Sequence, residues 1–388
     1  MNAQIITSFL DTDLYKLTML QAFWDQYPYS QMCWKFTCRN KGVKLGFLSE
    51  EILQQLDYLY KLKITDDEAD YLLSLGFFKK DFVDYLRNEF FFRPDVIVEN
   101  INDELVITVK GAFEVNLFEV YVLAIVNEIY FDKISKANSG IDYKDEGHKR
   151  LLKKIEKLKE YPDLVFAEFG TRRRFSKHWQ ESVVSVLKLN CKNIIGTSNV
   201  YLAKKYGLKP IGTVAHEWTM AHLGFVERIE KAQGRALHVW QQEYGNRLGI
   251  ALSDTFTTDA FLRDFTFILA NSYDGVRHDS GDPIIFGYKI INHYISLGID
   301  PLTKTIVFSD GLDIDKAISI FKEFQGKIKI SFGIGTNLSN DVGLNALNIV
   351  MKLTRCNYVN CVKLSDNSGK EMGEPYMINS VKEAYEVR

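Results

Sequence analysis

The sequence carries no surplus of charge of either sign: 48 basic residues stand against 50 acidic ones, a formal net charge of -2. That balance excludes the broad cationic footprint that DNA, RNA or an anionic lipid surface demands, so neither nucleic acid nor membrane is an expected partner. Long apolar runs are lacking too. The longest, "VYVLAIV" from Val120 to Val126, is far too short to cross a bilayer and is bracketed by Glu119 and Glu128. The opening "MNAQIITSFLDTDLYK" has no basic region followed by an apolar stretch, so no secretory signal is expected and the chain reads as cytoplasmic. Cysteine is scarce and unpatterned. Cys33, Cys38, Cys191, Cys356 and Cys361 form no C-x-x-C pair and match no usual zinc spacing, which leaves reduced, buried thiols.

What is present is core-forming material. Hydrophobic residues make up 46% and aromatics 13% of 388 residues, which excludes disorder and leaves room for two or three domains. In the first part, "QMCWKFTCRN" and "ELVITVKG" alternate like strands, while "SEEILQQLDYLYKL", "DDEADYLLSL" and "KKDFVDYLRNEF" repeat at helical spacing. "DYKDEGHKRLLKKIEKLKEYPD" reads as a solvated helix near a boundary. From Leu164 the rhythm changes to short apolar runs, each closed by a polar turn: "DLVFAEFGTR", "NIIGTSN", "KPIGTVAHE", "LGIALSDT", "GVRHDSGD", "KTIVFSDG" and "IKISFGIGT". Helical stretches such as "DAFLRDFTFILANSY" and "IFGYKIINHYISLG" separate them, and Asp282 before Pro283 predicts a capped helix start. Alternating strands and helices predict a parallel sheet, and about seven such units approach a barrel. The expected division is an N-terminal α+β domain over 1–135, joined by a tail over 347–388, and a (β/α) barrel over 136–346.

In nearly every run the apolar part comes first and the ionisable or hydroxyl residue last. A (β/α) barrel opens all those ends on one face, where its active sites lie. That face would collect Arg172, Ser198, His216, Asp254, Arg277, Asp279, Asp310 and the glycines of "GIGT". Polar strand ends are ordinary one at a time, but so many ionisable groups on one face point to a site. Three readings of His216 compete. Zinc binding through a helix needs histidines four apart, whereas His216 and His222 are six apart, about 120° around a helix. A hydrogen-bonded core histidine is the second. The third is a catalytic imidazole oriented by a carboxylate, for which Asp254 is the candidate. "VRHDSGDP" offers a guanidinium, Arg277, among carboxylates, and the glycine turns of "FSDG" and "FGIGT" suit a phosphate.

Taken together, "DTDLYKLTM", "EFGTRRR", "GTSN", "GTVAHEW", "LGIALSDTFTTDAFLRDF", "RHDSGDP", "GIDPLTKTIVFSD", "SFGIGT" and "KLSDNSGK" resemble the bacterial nicotinate phosphoribosyltransferase family along essentially the whole chain. The resemblance implies an α/β fold: an irregular (β/α) barrel of the type II phosphoribosyltransferase kind, with an α+β sandwich domain built from the N-terminus and the tail. It implies transfer of phosphoribosyl from phosphoribosyl pyrophosphate to nicotinate, coupled to ATP hydrolysis, in salvage toward NAD. His216 would be transiently phosphorylated, with Asp254 fixing its tautomer. Phe169 and Arg172 would border the pyridine and Tyr15 would stack on it from a partner subunit, implying a homodimer. Arg277 would bind nicotinate or phosphate, and Asp279 would lie near the ribose. The turns at Ser309, Asp310, Gly311, Gly333, Gly335 and Thr336 would hold the 5′-phosphate. Mg2+ is expected with the phosphates, without assigned protein ligands. Nicotinamide-specific relatives carry aspartate where Ser198 stands, so serine fits the acid. Rival readings are transfer to nicotinamide or quinolinate, a catalytically silent nucleotide sensor, and a metal-dependent hydrolase.

Overall fold

Three points along the backbone, after residues 212, 333 and 352, separate two compact units: Met1–Gly212 with Ile334–Lys352, and Thr213–Gly333 with Leu353–Arg388. Neither unit coincides with an expected domain, because the division runs through the 136–346 segment. The computed structural model describes residues 3–92, 94–138, 140, 142–367, 369 and 371–387, so Ser368 and Lys370 of "KLSDNSGK" lie outside them.

In the first unit, β1 (Gln31–Cys38), β2 (Asp95–Ile101) and β3 (Glu104–Ala112) pair antiparallel in the order β1-β3-β2. The β2–β3 hairpin turns on Asn102 and Asp103, both at positive φ (52° and 65°), a primed turn whose twist suits paired strands. Met32, Trp34 and Phe36 alternate onto the buried face of β1, and Leu105, Ile107 and Val109 onto that of β3. Two helices form the centre. Leu14–Gln26 is buried from Leu14 to Phe23, and Phe118–Ala137 from Phe118 to Asn127. Neither shows a one-sided apolar stripe, because a helix covered on all sides needs none. The expected amphipathic helices appear as Ser49–Leu59, Asp66–Ser74, Lys80–Asn88 and Tyr143–Lys159. Three short parallel strands complete this unit: β4 (Phe166–Glu168), β5 (Ile194–Thr197) and β6 (Lys209–Pro210).

In the second unit, β7 (Ile250–Leu252), β8 (Gly275–His278), β9 (Thr305–Phe308) and β10 (Lys329–Ile334) pair in parallel in chain order. Helices follow the first three: Thr258–Asp264 and Phe267–Ser272, then Pro283–Ser296, then Ile314–Phe324. The expected single helix after β7 is two, because Phe265 leaves the helical region (φ -84°, ψ 62°) and Thr266 is extended. Asp282 caps its helix as expected, accepting the Ile284 and Ile285 N–H groups at 2.8 and 2.9 Å, with Pro283 in the first turn. Phe308 of β9 stacks on Phe332 of β10 and on Phe324 of the helix between them.

The tail is shared. The start of β11 (Ile349–Cys356) lies beside β1 in the first unit. Its remainder and β12 (Val359–Asn360), joined through Asn357 and Tyr358 at φ 46° and 69°, belong to the second. There Val362, Leu364, Met377, Val381 and Tyr385 pack with Leu223, Ala232, Phe256 and Ala260. Among the described residues no helix is long and apolar enough to cross a membrane and no disulfide forms; Cys33 and Cys38 are only half-buried.

Candidate functional site

In the second unit the residues that close β7, β8 and β9 form one network around His216, the first residue of helix His216–Ala221. The imidazole is 4% exposed. Its Nδ1 lies 3.1 Å from Thr255 Oγ1, and its Nε2 lies 3.0 Å from Asp279 Oδ2 and 2.8 Å from Lys363 Nζ. A ring proton on Nδ1 is donated to Thr255 while Nε2 accepts from Lys363; a proton on Nε2 is donated to Asp279. Burial, then the Lys363 charge, lowers the ring's pKa below its ordinary 6.5 against the opposing pull of Asp254 and Asp279. The ring is therefore neutral at pH 7, as a nucleophilic imidazole must be.

Asp279 also accepts from Arg277 Nη2 on Oδ1 at 2.7 Å and from the Ser309 hydroxyl at 2.8 Å. Burial alone would raise its pKa, but Arg277, His216 and Lys363 hold it well below the carboxylate range. Arg277 completes its fork through Nε to Ser309 Oγ at 2.9 Å and Nη1 to the Val214 carbonyl at 3.4 Å.

The expected tautomer-fixing bond from Asp254 is not made. Its Oδ1 stops 3.9 Å from Nε2, because Thr255, one residue further on, takes Nδ1 and Asp279 occupies the carboxylate position at Nε2. Asp254 Oδ2 accepts the Ser280 hydroxyl, with Lys363 Nζ at 3.7 Å, while Oδ1 is buried with no hydrogen-bond partner among the described residues. Asp279, expected beside the ribose, is thus the ring's carboxylate neighbour.

Lys363 is a residue the strand-end rule misses, since it lies in the tail segment "KLSDNSGK". Two backbone bonds to Met372 hold it, 3.0 and 2.8 Å long. A clasp beside it fixes the loop: Asp366 accepts the Thr258 N–H at 2.7 Å and hydroxyl at 2.6 Å, and its own N–H donates to Ser280 Oγ at 3.1 Å. Thr257 at φ 93° and Ser365 at φ 72° border that clasp. A β-branched residue in that region stores about 1–3 kcal/mol, which persists only where surrounding bonds hold it. His222 is a packing residue: fully buried, Nδ1 2.7 Å from the Trp218 carbonyl, its pKa pushed by burial to about 3.

The turns expected to hold a phosphate divide between the units. Ser309, Asp310, Gly311 and Gly333 fall in the second, Gly335 and Thr336 in the first. Gly311, at φ 55°, takes a left-handed conformation that favours glycine. Gly335 is needed for room instead, since a Cβ there would meet the Phe169 carbonyl at 3.0 Å.

In the first unit, the ends of β4 and β5 and the start of helix Leu14–Gln26 assemble a second cluster. Ser198, after β5, donates to Asp13 Oδ1 at 2.6 Å. Burial raises the pKa of Asp13, opposed by Ser198 and by the Arg172 charge. Arg172, half-buried in the turn Thr171–Arg173, has Nη1 3.5 Å from Glu119. Glu119 is buried and pairs with Lys16 at 2.5 Å; Lys352 stands at 3.9 Å. Lys16 lies 4.3 Å above the Trp34 ring and 5.4 Å from that of Tyr15. Phe169 is half-buried at the end of β4, its N–H donating to the Ile334 carbonyl at 2.8 Å. Ser198 therefore bonds Asp13 and the Arg172 charge acts on it; the sequence reading left Asp13 unassigned. So did it leave Glu168, whose buried carboxylate accepts from Thr197, Gly170 and Gln180.

With this geometry in place, the comparisons are specific. Residues 164–388 match the nicotinate phosphoribosyltransferase (NAPRTase) family, and residues 10–127 match its N-terminal domain. A nicotinate phosphoribosyltransferase of Cupriavidus necator is 44% identical over 395 residues, covering 99% of each chain. One of Chromobacterium violaceum is 46% identical over 384 residues, covering 96% of this chain and 94% of its own. The crystal structure of nicotinate phosphoribosyltransferase from Vibrio cholerae superposes with a TM-score of 0.94 at 37% identity, covering 100% of this chain and 95% of that one. The Porphyromonas gingivalis structure gives 0.91 at 37% identity, covering 99% and 100%. The chain belongs to the nicotinate phosphoribosyltransferase family, in its bacterial type.

Proposed function

We propose that this chain transfers the phosphoribosyl group of phosphoribosyl pyrophosphate to the ring nitrogen of nicotinate, releasing pyrophosphate, with ATP hydrolysed through transient phosphorylation of His216. The setting of His216 carries the reading. An imidazole kept neutral by burial lies among Asp279, Lys363, Asp254 and Thr255 and not among aliphatic side chains. A neutral ring can attack the γ-phosphorus of ATP, and ADP leaves as the new bond forms. The nitrogen that attacks gives up its present partner, Thr255 at Nδ1 or Asp279 and Lys363 at Nε2. Lys363 and Arg277 then supply positive charge for the phosphoryl group.

Breaking the bond from ribose C1 to pyrophosphate leaves cationic character on the sugar and negative charge on the leaving group. In this reading Ser309, Asp310, Gly311, Gly333, Gly335 and Thr336 hold the 5′-phosphate, and Phe169, Arg172 and Ser198 hold the pyridine. Ser198 donates to Asp13 and brings no charge of its own, as an anionic substrate requires. Among the described residues no group of three or more His, Cys, Asp or Glu is arranged to hold a metal ion, so Mg2+ would come with the substrate phosphates and neutralise the leaving pyrophosphate. The unpartnered Asp254 Oδ1 suits a water carried by that ion or a ribose hydroxyl.

The same reading places the short parallel strands in an irregular (β/α) barrel over 136–346, with an α+β sandwich from 1–135 and 347–388. It also makes the chain a homodimer in which Tyr15 stacks on the partner's pyridine. Transfer to nicotinamide or quinolinate is the nearest rival. Incubation with phosphoribosyl pyrophosphate, Mg2+ and each pyridine in turn, with and without ATP, separates them. Turnover of nicotinate stimulated by ATP is expected; preference for another pyridine refutes the substrate assignment.

A further inference from the structure

We infer that Glu168 is a positioning residue for the pyridine site: one buried carboxylate holds the β4 turn that carries Phe169 and Arg172 in register with the β5 end that carries Ser198. The inference rests on the phosphoribosyl-transfer reading and assigns its substrate pocket a hidden support.

The network is short and closed. Glu168 is the last residue of β4 and fully buried. Its Oε1 accepts the Gly170 N–H at 2.6 Å, and its Oε2 accepts the Thr197 hydroxyl at 2.6 Å. Gln180 Nε2 lies 3.1 Å from both oxygens and 3.1 Å from Thr171 Oγ1. The backbone carbonyl of Glu168 accepts the Ser198 N–H at 2.8 Å. The carboxylate thus touches both residues flanking the pocket turns, Gly170 and Thr197, and reaches Thr171 through Gln180. Space there is tight: a Cβ on Gly170 would come within 2.0 Å of Ser339 Oγ and 2.6 Å of Glu168 Oε1.

Stability does not account for this choice. Burial is the largest influence on Glu168 and raises its pKa to about 7 against its hydrogen bonds, with the Asp13 charge adding to the rise. A buried carboxylate without a paired cation is costly, and an apolar residue would fill the space at less cost. What an apolar residue could not do is accept from two strand ends at once. A carboxylate offers about four acceptor sites, whereas glutamine turns half of them into donors.

The test measures steady-state kinetics of Glu168→Gln and Thr197→Val beside the wild type, with ATP-dependent labelling of His216 as a check of folding. Both variants are expected to raise the nicotinate KM by about tenfold, the equivalent of one lost hydrogen bond to a charged group, with the phosphoribosyl pyrophosphate KM and the labelling unchanged. Wild-type turnover with an unchanged nicotinate KM in both variants overturns the inference alone. So does loss of labelling in both, which would mark a general structural role. Wild-type protein that does not turn over nicotinate overturns the underlying reading and this inference with it.

Discussion

Replacing Arg174 by methionine removes one partner of an ion pair that water scarcely reaches. Arg174 and Asp11 are each 1% exposed, and the guanidinium donates to both carboxylate oxygens, at 2.7 and 3.1 Å. Burial alone would raise the Asp11 pKa, but Arg174 and then Lys177 hold it at about 2. Without Arg174 the carboxylate keeps Asn199 at 2.9 Å and Lys177 at 3.4 Å. Breaking one side of such a pair costs about 3–5 kcal/mol, because the surviving charge stays buried. With a urea slope of about 3 kcal/mol per M, the unfolding midpoint falls by roughly 1–1.7 M. Adding Asp11→Leu to Arg174→Met removes the orphaned charge and is expected to recover part of the loss. Urea titrations of the two singles and the double close the cycle. A loss under about 1 kcal/mol for Arg174→Met, or a double variant no better than the single, would refute the reading of this pair as a buried charge pair whose members depend on each other.

Three further outcomes are expected. Gly170→Ala drives a methyl to 2.0 Å from Ser339 Oγ and costs about 1–3 kcal/mol or more; Ser339→Gly in the same chain restores part of it, measured by urea midpoint. Asp279→Asn slows ATP-dependent labelling of His216 by about tenfold or more, whereas Asp254→Asn, which has no bond to the ring, changes it less; the reverse order in a labelling time course contradicts the geometry. Burial lowers the His216 pKa below its ordinary 6.5, so more than half of the rings are neutral at that pH. Labelling followed against pH is therefore expected to fall through its half-maximum below pH 6.5 as the ring protonates. A half-maximum at or above pH 6.5 would place the ring in a less buried setting.

The strands of the parallel sheet were legible because each is a short apolar run ended by a polar turn, and the amphipathic helices because one wet face leaves a periodic trace. Helices Leu14–Gln26 and Phe118–Ala137 left no such trace, being covered on every side. Within the site, Arg277 and Asp279 could be named from strand ends and Ser309 only through the family resemblance, and the three meet one another through hydrogen bonds. Asp254 was misread in one respect: two adjacent residues point different ways at a strand end, so Thr255 and not Asp254 reaches the ring. Lys363 was illegible because it comes from a hairpin-like tail that only tertiary packing brings to His216. Glu168 stands at a strand end too, but a lone carboxylate in sequence does not reveal that it will be buried with no paired cation among the described residues.

His216 is proposed to carry the phosphoryl group that couples ATP to phosphoribosyl transfer. Incubating the wild type with γ-labelled ATP and Mg2+, then mapping the label by mass spectrometry under conditions that preserve phosphohistidine, tests it directly. The account predicts label on His216 alone, discharged when phosphoribosyl pyrophosphate and nicotinate are added, and no ATP stimulation in His216→Ala. Label on another residue, or ATP stimulation that survives His216→Ala, would contradict it.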